Sequence, residues 1–420
     1  MKKVKNRSLR AARLVLVMIV NLLCAAASPT TPFPDAQPIY DPARMVAPPP
    51  SAPPVHIILF IGDGMGEAQR TIAQWSAYGQ NGQLAMDAMP YHGWSHTAPL
   101  VLPVTDSAAG ATAIATGSKT INGMIAMDPM FNALPTILEH ARSRGLTAGL
   151  VTTTELANAT PAAFATHAPL RAQMATIASQ MIERRLDVLL GGGEDDFLPP
   201  SETGCFPAAG NRLDGRNLIE EARLTGSTCV CTADELAAIP PTTTRLLGLF
   251  DDAGMTRPHS PTLATMTKTA IALLDQDPEG FFLMVEGGQI DWAGHNNDAG
   301  NVIGDVLALD EAVAVAQAYA EQTANTLIIV AADHETGGLR VALTHSNRPQ
   351  EDRVYTMPDG TPFYVSWSTG EHTATPIPVT AQGPQAYLLE GDYENTHIYE
   401  VMYRALFSWR IEQPVIIKYQ

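Results

Sequence analysis

The sequence has few basic residues, and this composition argues against a nucleic-acid-binding protein. Only 26 Lys and Arg stand against 43 Asp and Glu, which gives the 420-residue chain a formal net charge of -17. Nucleic-acid-binding domains carry clustered basic residues, and no such cluster follows residue 14, so nucleic acid is not expected as a specific partner. The 45% hydrophobic and 16% charged residues are nonetheless typical of a globular protein.

Cysteine is also scarce, with four residues in the chain, of which Cys205, Cys229 and Cys231 lie after the N-terminal region. In an oxidising compartment, Cys205 is expected to pair with either Cys229 or Cys231, which leaves one free thiol. The close spacing of Cys229 and Cys231, with no histidine nearby, does not match a zinc knuckle. The sequence leaves both pairings open.

Long apolar runs are few, and the one near the N-terminus, Leu14–Cys24, is too short to span a bilayer comfortably. It follows a segment with six basic residues and no acidic one, and the small residues Ala25–Ala27 come next. This pattern predicts a signal peptide over residues 1–27. We therefore expect export to the periplasm or the medium and no stable membrane span; a lipid anchor at Cys24 is the alternative.

The remaining chain divides into a linker and one large domain. Residues 28–54 contain ten prolines and are predicted to form an extended linker. Residues 55–410 are expected to form a single large domain, followed by a tail over 411–420. Two stretches interrupt the regular pattern of this domain and are expected to be insertions: 201–244, at the edge of the sheet, and 339–368, an irregular segment.

Five apolar runs in this domain have the length and composition of buried parallel strands. They are Val55–Ile61, Gly145–Val151, Asp187–Leu190, Phe281–Val285 and Thr326–Val330. Helical patterns lie between and around them, over Thr136–Ser143, Arg171–Arg185, Thr262–Asp275 and Asp305–Gln322. This alternation predicts an α/β fold with a central, mostly parallel sheet sandwiched between helices, in which ligands bind beyond the carboxyl ends of the strands.

The stretch Val104–Gly117 is predicted to contain a short helix whose first turn holds Ser107. Thr105 or Asp106 can cap this helix. A hydroxyl at that position lies in the positive field of the helix N-terminus, close to backbone N–H groups. A serine there is by itself usually part of a cap, so its role depends on what the fold brings beside it.

Carboxylates and imidazoles are concentrated at the predicted strand ends and in one late loop. They are Asp63, Glu286, Asp291, His295, Asp333, His334 and His372. Burying such groups together is costly unless they bind cations. A mixed histidine and carboxylate set suits Zn²⁺, whereas an all-oxygen set suits Mg²⁺. The residue types therefore predict a metal centre at the carboxyl edge of the sheet.

Six short motifs together resemble the alkaline phosphatase family in their order and spacing. They are Ile61–Gly66, Thr105–Gly110, Ala159–Ala162, Val285–Gly287 with Ile290–His295, Ala332–His334 and Gly370–Thr373. The resemblance covers nearly all of the chain after the linker. It implies an alkaline phosphatase-like fold, hydrolysis of phosphate monoesters with release of inorganic phosphate, and a homodimer.

The resemblance also implies a role for each matched residue. Ser107 would be the nucleophile that becomes phosphoserine, and Arg171 would bind the phosphate. Two Zn²⁺ and one Mg²⁺ would be bound as follows: the first zinc by Asp291, His295 and His372, the second by Asp63, Asp333 and His334 with Ser107, and the magnesium by Asp63, Thr160 and Glu286. His167 matches a structural histidine.

Two positions depart from the enterobacterial form of the family, which has Asp in place of Asn158 and Lys in place of Trp292. Asn158 is neutral and supports the water shell of magnesium less strongly, and Trp292 removes a cation near the phosphate. The pair predicts weaker binding of the phosphate product, faster turnover and less tightly held magnesium.

Three other functions are weighed against a monoesterase. A phosphodiesterase or nucleotide pyrophosphatase of the same superfamily usually has Thr as its nucleophile and lacks the Arg171 and magnesium set. A sulfatase needs Cys or Ser in a different local motif. An inactive metal-binding relative is the third, and the intact set of Ser107, Arg171 and zinc ligands argues against it. The natural substrate does not follow from the sequence.

Overall fold

The computed structural model describes residues 56–323, 325–344 and 351–407. The predicted signal peptide, with the alternative lipid anchor at Cys24, lies outside the described residues. So do the proline-rich linker and the C-terminal tail. No helix in the described ranges is both long enough and apolar enough to cross a membrane.

A ten-stranded sheet forms the centre of the described chain. In spatial order its strands are β15 (Gly391–Glu394), β2 (Tyr91–His96), β14 (Ile377–Gln382), β8 (Thr326–Ala331), β1 (His56–Gly62), β7 (Phe281–Gly287), β3 (Thr147–Glu155), β4 (Val188–Gly192), β6 (Leu246–Leu249) and β5 (Thr228–Val230). Of these ten strands, β14 alone runs antiparallel to its neighbours. The predicted mostly parallel sheet is therefore confirmed.

Eleven α-helices in the described ranges accompany the sheet. They are α1 (Glu67–Tyr78), α2 (Ser107–Thr116), α3 (Ile137–Ser143), α4 (Ala159–Ala165), α5 (Met174–Glu183), α6 (Leu218–Leu224), α7 (Ala233–Ala237), α8 (Leu263–Leu274), α9 (Gln289–His295), α10 (Ala299–Ala320) and α11 (Thr396–Phe407). Two of the predicted helix starts differ by more than one residue. Arg171 lies in a turn ahead of α5, and α10 begins earlier because the Asp298 side chain accepts a hydrogen bond from Asn301 N at 3.1 Å and caps it.

The stretch 339–368 differs from expectation. Instead of an irregular segment, it contains β10 (Arg340–Ala342), β11 (Glu351–Thr356) and β12 (Pro362–Ser366), which pair as a small antiparallel sheet. These strands are too short for their alternation of buried and exposed side chains to stand out in the sequence. Nearby, β9 (Glu335–Thr336) and β13 (His372–Thr373) form a two-stranded ladder.

The stretch 201–244 contributes β5, the strand at one edge of the large sheet, together with α6 and α7. Of the two pairings that the sequence left open, the structure contains the disulfide Cys205–Cys231. Cys229 is a free thiol on β5. Burial raises the pKa of this thiol, which makes it a weak nucleophile.

The centre of the sheet determines where polar side chains emerge. β1, β7 and β8 are apolar and almost completely buried. They run in register, so that Ile61 lies beside both Glu286 and Ala331. Because these parallel strands end at the same level, Asp63, Glu286 and Asp333 reach one edge of the sheet together.

Candidate active site

Ser107 is the first residue of α2, and its neighbour Asp106 holds the start of this helix. Asp106 Oδ1 accepts a hydrogen bond from Ala109 N at 3.0 Å, and Oδ2 accepts one from Gly123 N at 2.9 Å. Asp106, and not Thr105, is therefore the residue that caps this helix. Ser107 is buried, and its Oγ lies 3.3 Å from His334 Nε2.

One cluster consists of Asp291, His295 and His372. Helix α9 places Asp291 and His295 one turn apart, with 3.4 Å between Asp291 Oδ2 and His295 Nε2. His372 Nε2 lies 3.4 Å from Asp291 Oδ1 and 3.0 Å from His295 Nε2. The Nδ1 atoms donate to backbone carbonyls, of Gly370 at 2.6 Å and of Thr105 at 2.9 Å. Both rings thus turn Nε2 toward Asp291, the arrangement that orients histidine as a metal ligand.

A second cluster consists of Asp63, Asp333 and His334. His334 Nε2 lies 3.4 Å from both Asp63 Oδ1 and Asp333 Oδ2. These two carboxylate oxygens are buried and make no hydrogen bond within the described chain. The ligand atoms of Asp63, Asp291 and His334 also lie within 4.8 Å of one another. Asp291 therefore stands between the two clusters, a placement that the sequence did not indicate.

A third group surrounds Glu286 at the end of β7. Its Oε2 accepts hydrogen bonds from the hydroxyls of Thr152 and Thr154 on β3. The Thr160 hydroxyl, in the first turn of α4, is close enough to lower the pKa of this carboxylate, and it is buried without a hydrogen bond in the described chain. Asp63 is close enough for Glu286 to raise its pKa. The structure thus brings Asp63, Thr160 and Glu286 together as an oxygen-rich group.

These carboxylates raise one another's proton affinity. Burial, together with Asp333, Asp291 and Glu286, raises the pKa of Asp63. Burial also raises the pKa of Glu286 to about 7 and, with Asp291 nearby, that of Asp333 to about 6. Burial lowers the pKa of His334, so its ring is neutral. A cation among these groups would relieve the cost of ionising them.

Arg171 points from its turn toward the same region. Its Nη2 donates to Asn158 Oδ1 at 3.1 Å, and its Nη1 lies 3.5 Å from Asp106 Oδ2. A cavity of about 540 Å³ opens beside it. The residues that line this cavity include Ser107, Arg171, Asp291, His295 and His372. A guanidinium group can bind two oxygens of one phosphate side by side.

Thr336 is a part of the site that the sequence reasoning missed. Its hydroxyl donates to Asp291 Oδ1 at 2.5 Å and lies 3.2 Å from His334 Nδ1. It therefore orients one residue of each cluster. Its place two residues after His334 is the only signal in the sequence, and a threonine there is not distinctive without the fold.

Two other residues from the sequence analysis lie away from the cavity. The Trp292 ring packs against Gly254, where an added Cβ would lie 2.3 Å from the indole, and Trp292 is not among the residues that line the cavity. His167 lies between the Ala126 carbonyl, 2.8 Å from Nδ1, and Glu139 Oε1, 3.1 Å from Nε2. These contacts match a structural histidine.

Comparisons with known protein sequences agree with the geometry of the site. A family model described as alkaline phosphatase matches residues 55–363. The streptomycin-6-phosphate phosphatase of Streptomyces griseus is 36% identical over an alignment 418 positions long. The alignment covers 84% of this chain and 91% of that protein. The alkaline phosphatase of Escherichia coli K12 is 34% identical over 414 residues, with 84% of this chain and 86% of that protein covered.

Solved structures agree. The alkaline phosphatase from the Antarctic bacterium TAB5 superimposes with a TM-score of 0.74 at 33% identity, covering 85% of this chain and 99% of that chain. A variant of the TAB5 enzyme, with magnesium bound in a site called M3, gives a TM-score of 0.72 at 31% identity, covering 84% and 98%. The chain therefore belongs to the alkaline phosphatase family of phosphate monoester hydrolases.

Proposed function

We propose that this protein hydrolyses phosphate monoesters through a phosphoserine on Ser107, at a site that binds two Zn²⁺ and one Mg²⁺. The observation that carries the proposal is the place of the Ser107 hydroxyl. It stands at a helix N-terminus, 3.3 Å from His334 Nε2, in a cavity that Arg171 also lines. A nucleophile, a neutral imidazole and a phosphate-binding cation thus share one space.

The donor sets fit the metals that the proposal assigns to them. The sets Asp291, His295, His372 and Asp63, Asp333, His334 combine carboxylate oxygens with imidazole nitrogens, which zinc prefers. The unpartnered buried oxygens of Asp63 and Asp333 support a cation in the second set. Asp63, Thr160 and Glu286 offer oxygen alone, which suits magnesium.

The reaction consists of two displacements at phosphorus. Ser107 Oγ attacks the phosphorus atom, the alcohol leaves, and water then hydrolyses the phosphoserine. Zinc, when bound, would lower the pKa of the serine hydroxyl and of water, and it would stabilise the charge on the leaving oxygen. Arg171 binds two phosphoryl oxygens and neutralises their charge, which is the main requirement of a loose phosphoryl-transfer transition state. Two in-line steps predict retention of configuration at phosphorus.

Asp106 and Asn158 act on this reaction through other groups. Asp106 caps the helix that begins at Ser107 and also lies beside Arg171. Asn158 accepts from Arg171 on the other side, at 3.1 Å. The guanidinium is thus held between two side chains before substrate arrives, which reduces the entropy lost on binding.

We also propose the domain organisation and location that the sequence predicts. Residues 1–27 would be removed on export to the periplasm or medium, and residues 55–410 would form one catalytic domain with insertions at 201–244 and 339–368. The chain would act as a homodimer. N-terminal sequencing of the exported protein tests the cleavage, and light scattering on the purified protein tests the dimer.

The central experiment compares p-nitrophenyl phosphate with bis-p-nitrophenyl phosphate, for the zinc- and magnesium-loaded protein with and without EDTA. We expect strong monoesterase activity that EDTA abolishes, and little diesterase activity. Preferred hydrolysis of the diester would favour the phosphodiesterase alternative, and no hydrolysis by zinc-replete protein would refute the proposal. Because one relative is named for streptomycin 6-phosphate, that monoester belongs among the substrates tested.

A further inference from the structure

Glu335 follows His334 directly, and its buried carboxylate accepts hydrogen bonds from three other parts of the chain. Its Oε1 accepts hydrogen bonds from Gln69 Nε2 at 2.8 Å and from Leu339 N at 3.1 Å. Its Oε2 accepts from Gly338 N at 3.2 Å and from the Thr373 hydroxyl. The side chain is only 3% exposed, so losing these bonds would leave polar groups unsatisfied in the interior.

The bond to Thr373 matters because of where Thr373 lies. It is the neighbour of His372 on β13, and β13 pairs with β9 through two residues only, His372 with Thr336 and Thr373 with Glu335. So short a ladder contributes little stability by itself. The hydrogen bond from the Thr373 hydroxyl to the Glu335 carboxylate therefore adds a connection between β9 and β13 beyond the two backbone pairs. We call this connection the Glu335 tie.

The other end of this tie is fixed to α1. Gln69 donates both to Glu335 Oε1 and to the Thr336 carbonyl, each at 2.8 Å. Gly66, at the start of α1, lets the Glu335 stem pass, because a Cβ at residue 66 would lie 2.5 Å from Glu335 Cγ. Glu335 is thus anchored on a regular helix and reaches from it to the loop that carries His372.

We propose that Glu335 is a positioning residue for His372, and through it for the metal cluster Asp291, His295 and His372. It holds β13 so that the imidazole meets Asp291 and His295, while its own carboxylate stays outside the cavity. The inference rests on the proposed function, since it assigns zinc to this cluster. Its Thr373 end lies beside His372 alone, whereas Glu335 itself adjoins His334 of the other cluster, so Thr373→Val is the variant that separates the two zinc sites.

The test measures zinc as well as activity, in Glu335→Gln and Thr373→Val. Glutamine keeps the length of the side chain but offers one accepting oxygen to four donors, and valine removes the hydroxyl at the other end of the tie. Supporting interactions around metal ligands are worth about 10–100-fold in metal affinity. We expect Thr373→Val to release one zinc to EDTA about 10–100-fold faster than the wild type and the second at the wild-type rate. Glu335→Gln should release that same zinc at least as fast. Excess zinc should restore kcat with little change in KM.

Thr375→Ala is the matched control. The Thr375 hydroxyl lies 2.9 Å from that of Thr373, so alanine removes this contact and leaves the Glu335 tie intact; its zinc release should match the wild type. If both zinc ions leave Thr373→Val at the wild-type rate, the inference is overturned, whether or not Glu335→Gln folds. In that case a wild type that holds two zinc ions and hydrolyses monoesters leaves the proposed function standing. A wild type that binds no zinc overturns both.

Discussion

Ser107 Oγ and His334 Nε2 lie 3.3 Å apart although 227 positions separate the two residues in the chain. Helix α2 packs directly on the segment after β8, because Gly110 has no side chain: a Cβ there would lie 2.8 Å from the Asp333 carbonyl oxygen. Any larger residue at position 110 would push Ser107 away from His334. The distance between Ser107 and His334 thus depends on Gly110, which lies one helical turn after Ser107.

Ser107→Ala should lose activity while keeping its metals. The substitution removes the attacking oxygen but no carboxylate or imidazole, and removing a nucleophile costs on the order of 10³-fold or more in kcat. Steady-state kinetics together with metal analysis of the purified variant checks this. Equal loss of zinc and activity would instead show that Ser107 serves mainly the metal centre.

Arg171→Lys should weaken both substrate and product. A lysine keeps the charge but cannot bind two phosphoryl oxygens side by side or reach Asn158 and Asp106 at once. We expect the inhibition constant for inorganic phosphate to rise about tenfold, which corresponds to roughly 1.4 kcal/mol, and the KM for p-nitrophenyl phosphate to rise with it. Phosphate inhibition equal to that of the wild type would remove Arg171 from the phosphate site.

The double variant Asn158→Asp, Trp292→Lys should bind phosphate more tightly and turn over more slowly. It adds a carboxylate beside Arg171 and Glu155, which can strengthen the magnesium site, and a cation on α9, which can attract the phosphate. Ion pairs of exposed side chains are worth about 0.2–1 kcal/mol each, so the added cation should lower the inhibition constant by up to about fivefold. The single variants separate the two effects. Since the Trp292 ring packs on Gly254 and does not line the cavity, the Trp292→Lys variant tests whether a cation at this position reaches the phosphate; unchanged inhibition in the double variant contradicts the hypothesis.

Removal of the metals should destabilise the protein. Without cations, the buried carboxylates of Asp63 and Asp333 keep oxygens that make no hydrogen bond. Ligands present at about 1,000 times their Kd stabilise a folded protein by about 4 kcal/mol each, so EDTA should lower Tm by roughly 10 °C or more. Calorimetry with and without EDTA measures this, and added zinc should reverse it. Ser107→Ala should show the same drop, and an unchanged Tm would argue against bound metal.

Asp196→Asn should stabilise the protein at high pH but not at low pH. Burial, followed by the charges of Asp195 and Glu155, raises the pKa of Asp196 from 3.8 to about 7 in the folded state. The folded chain thus binds a proton that the unfolded chain releases above about pH 4, so stability falls as pH rises from about 4 to 7. Asparagine cannot ionise and avoids this loss, which we expect to be on the order of 1–3 kcal/mol at pH 8.

Denaturant unfolding of the Asp196→Asn variant and the wild type at pH 4.5 and pH 8 checks the sign. The gain in the free energy of unfolding should be clear at pH 8 and small at pH 4.5. A gain of equal size at both values would mean that asparagine improves packing and that the charge is not involved. Asp196 does not line the cavity that Ser107 and Arg171 share, so activity should change little.

Most of the candidate site could be predicted from the sequence because its residues occupy places that local chemistry marks. Asp63, Glu286 and Asp333 each follow a strongly apolar strand, and Asp291 and His295 are one helical turn apart. Their spacing within each motif fixes their local geometry. The structure brings all of these predicted residues, with Thr160, Arg171 and His372, to one edge of the sheet, as the parallel arrangement requires.

Other features could not be predicted, because they depend on contacts between distant segments. The sequence left the partner of Cys205 open, and only the place of β5 at the sheet edge decides for Cys231. Thr336 and Glu335 are not distinctive in the sequence. Their contacts form only when β9 pairs with β13 and packs against α1. The short strands of residues 339–368 carry too few residues for a recognisable period.

The sequence by itself determined the α/β architecture, the family and the residue types of the metal clusters, because periodicity, strand-end polarity and motif spacing are local properties. Only the tertiary structure decided how the clusters share space: Asp291 stands between them, Ser107 faces His334, and Glu335 ties the His372 loop to α1. These relationships join residues from 38 positions apart, Glu335 and Thr373, to 266 positions apart, Glu335 and Gln69. They arise when the strands align and the helices pack, and no pattern along the chain encodes such distances.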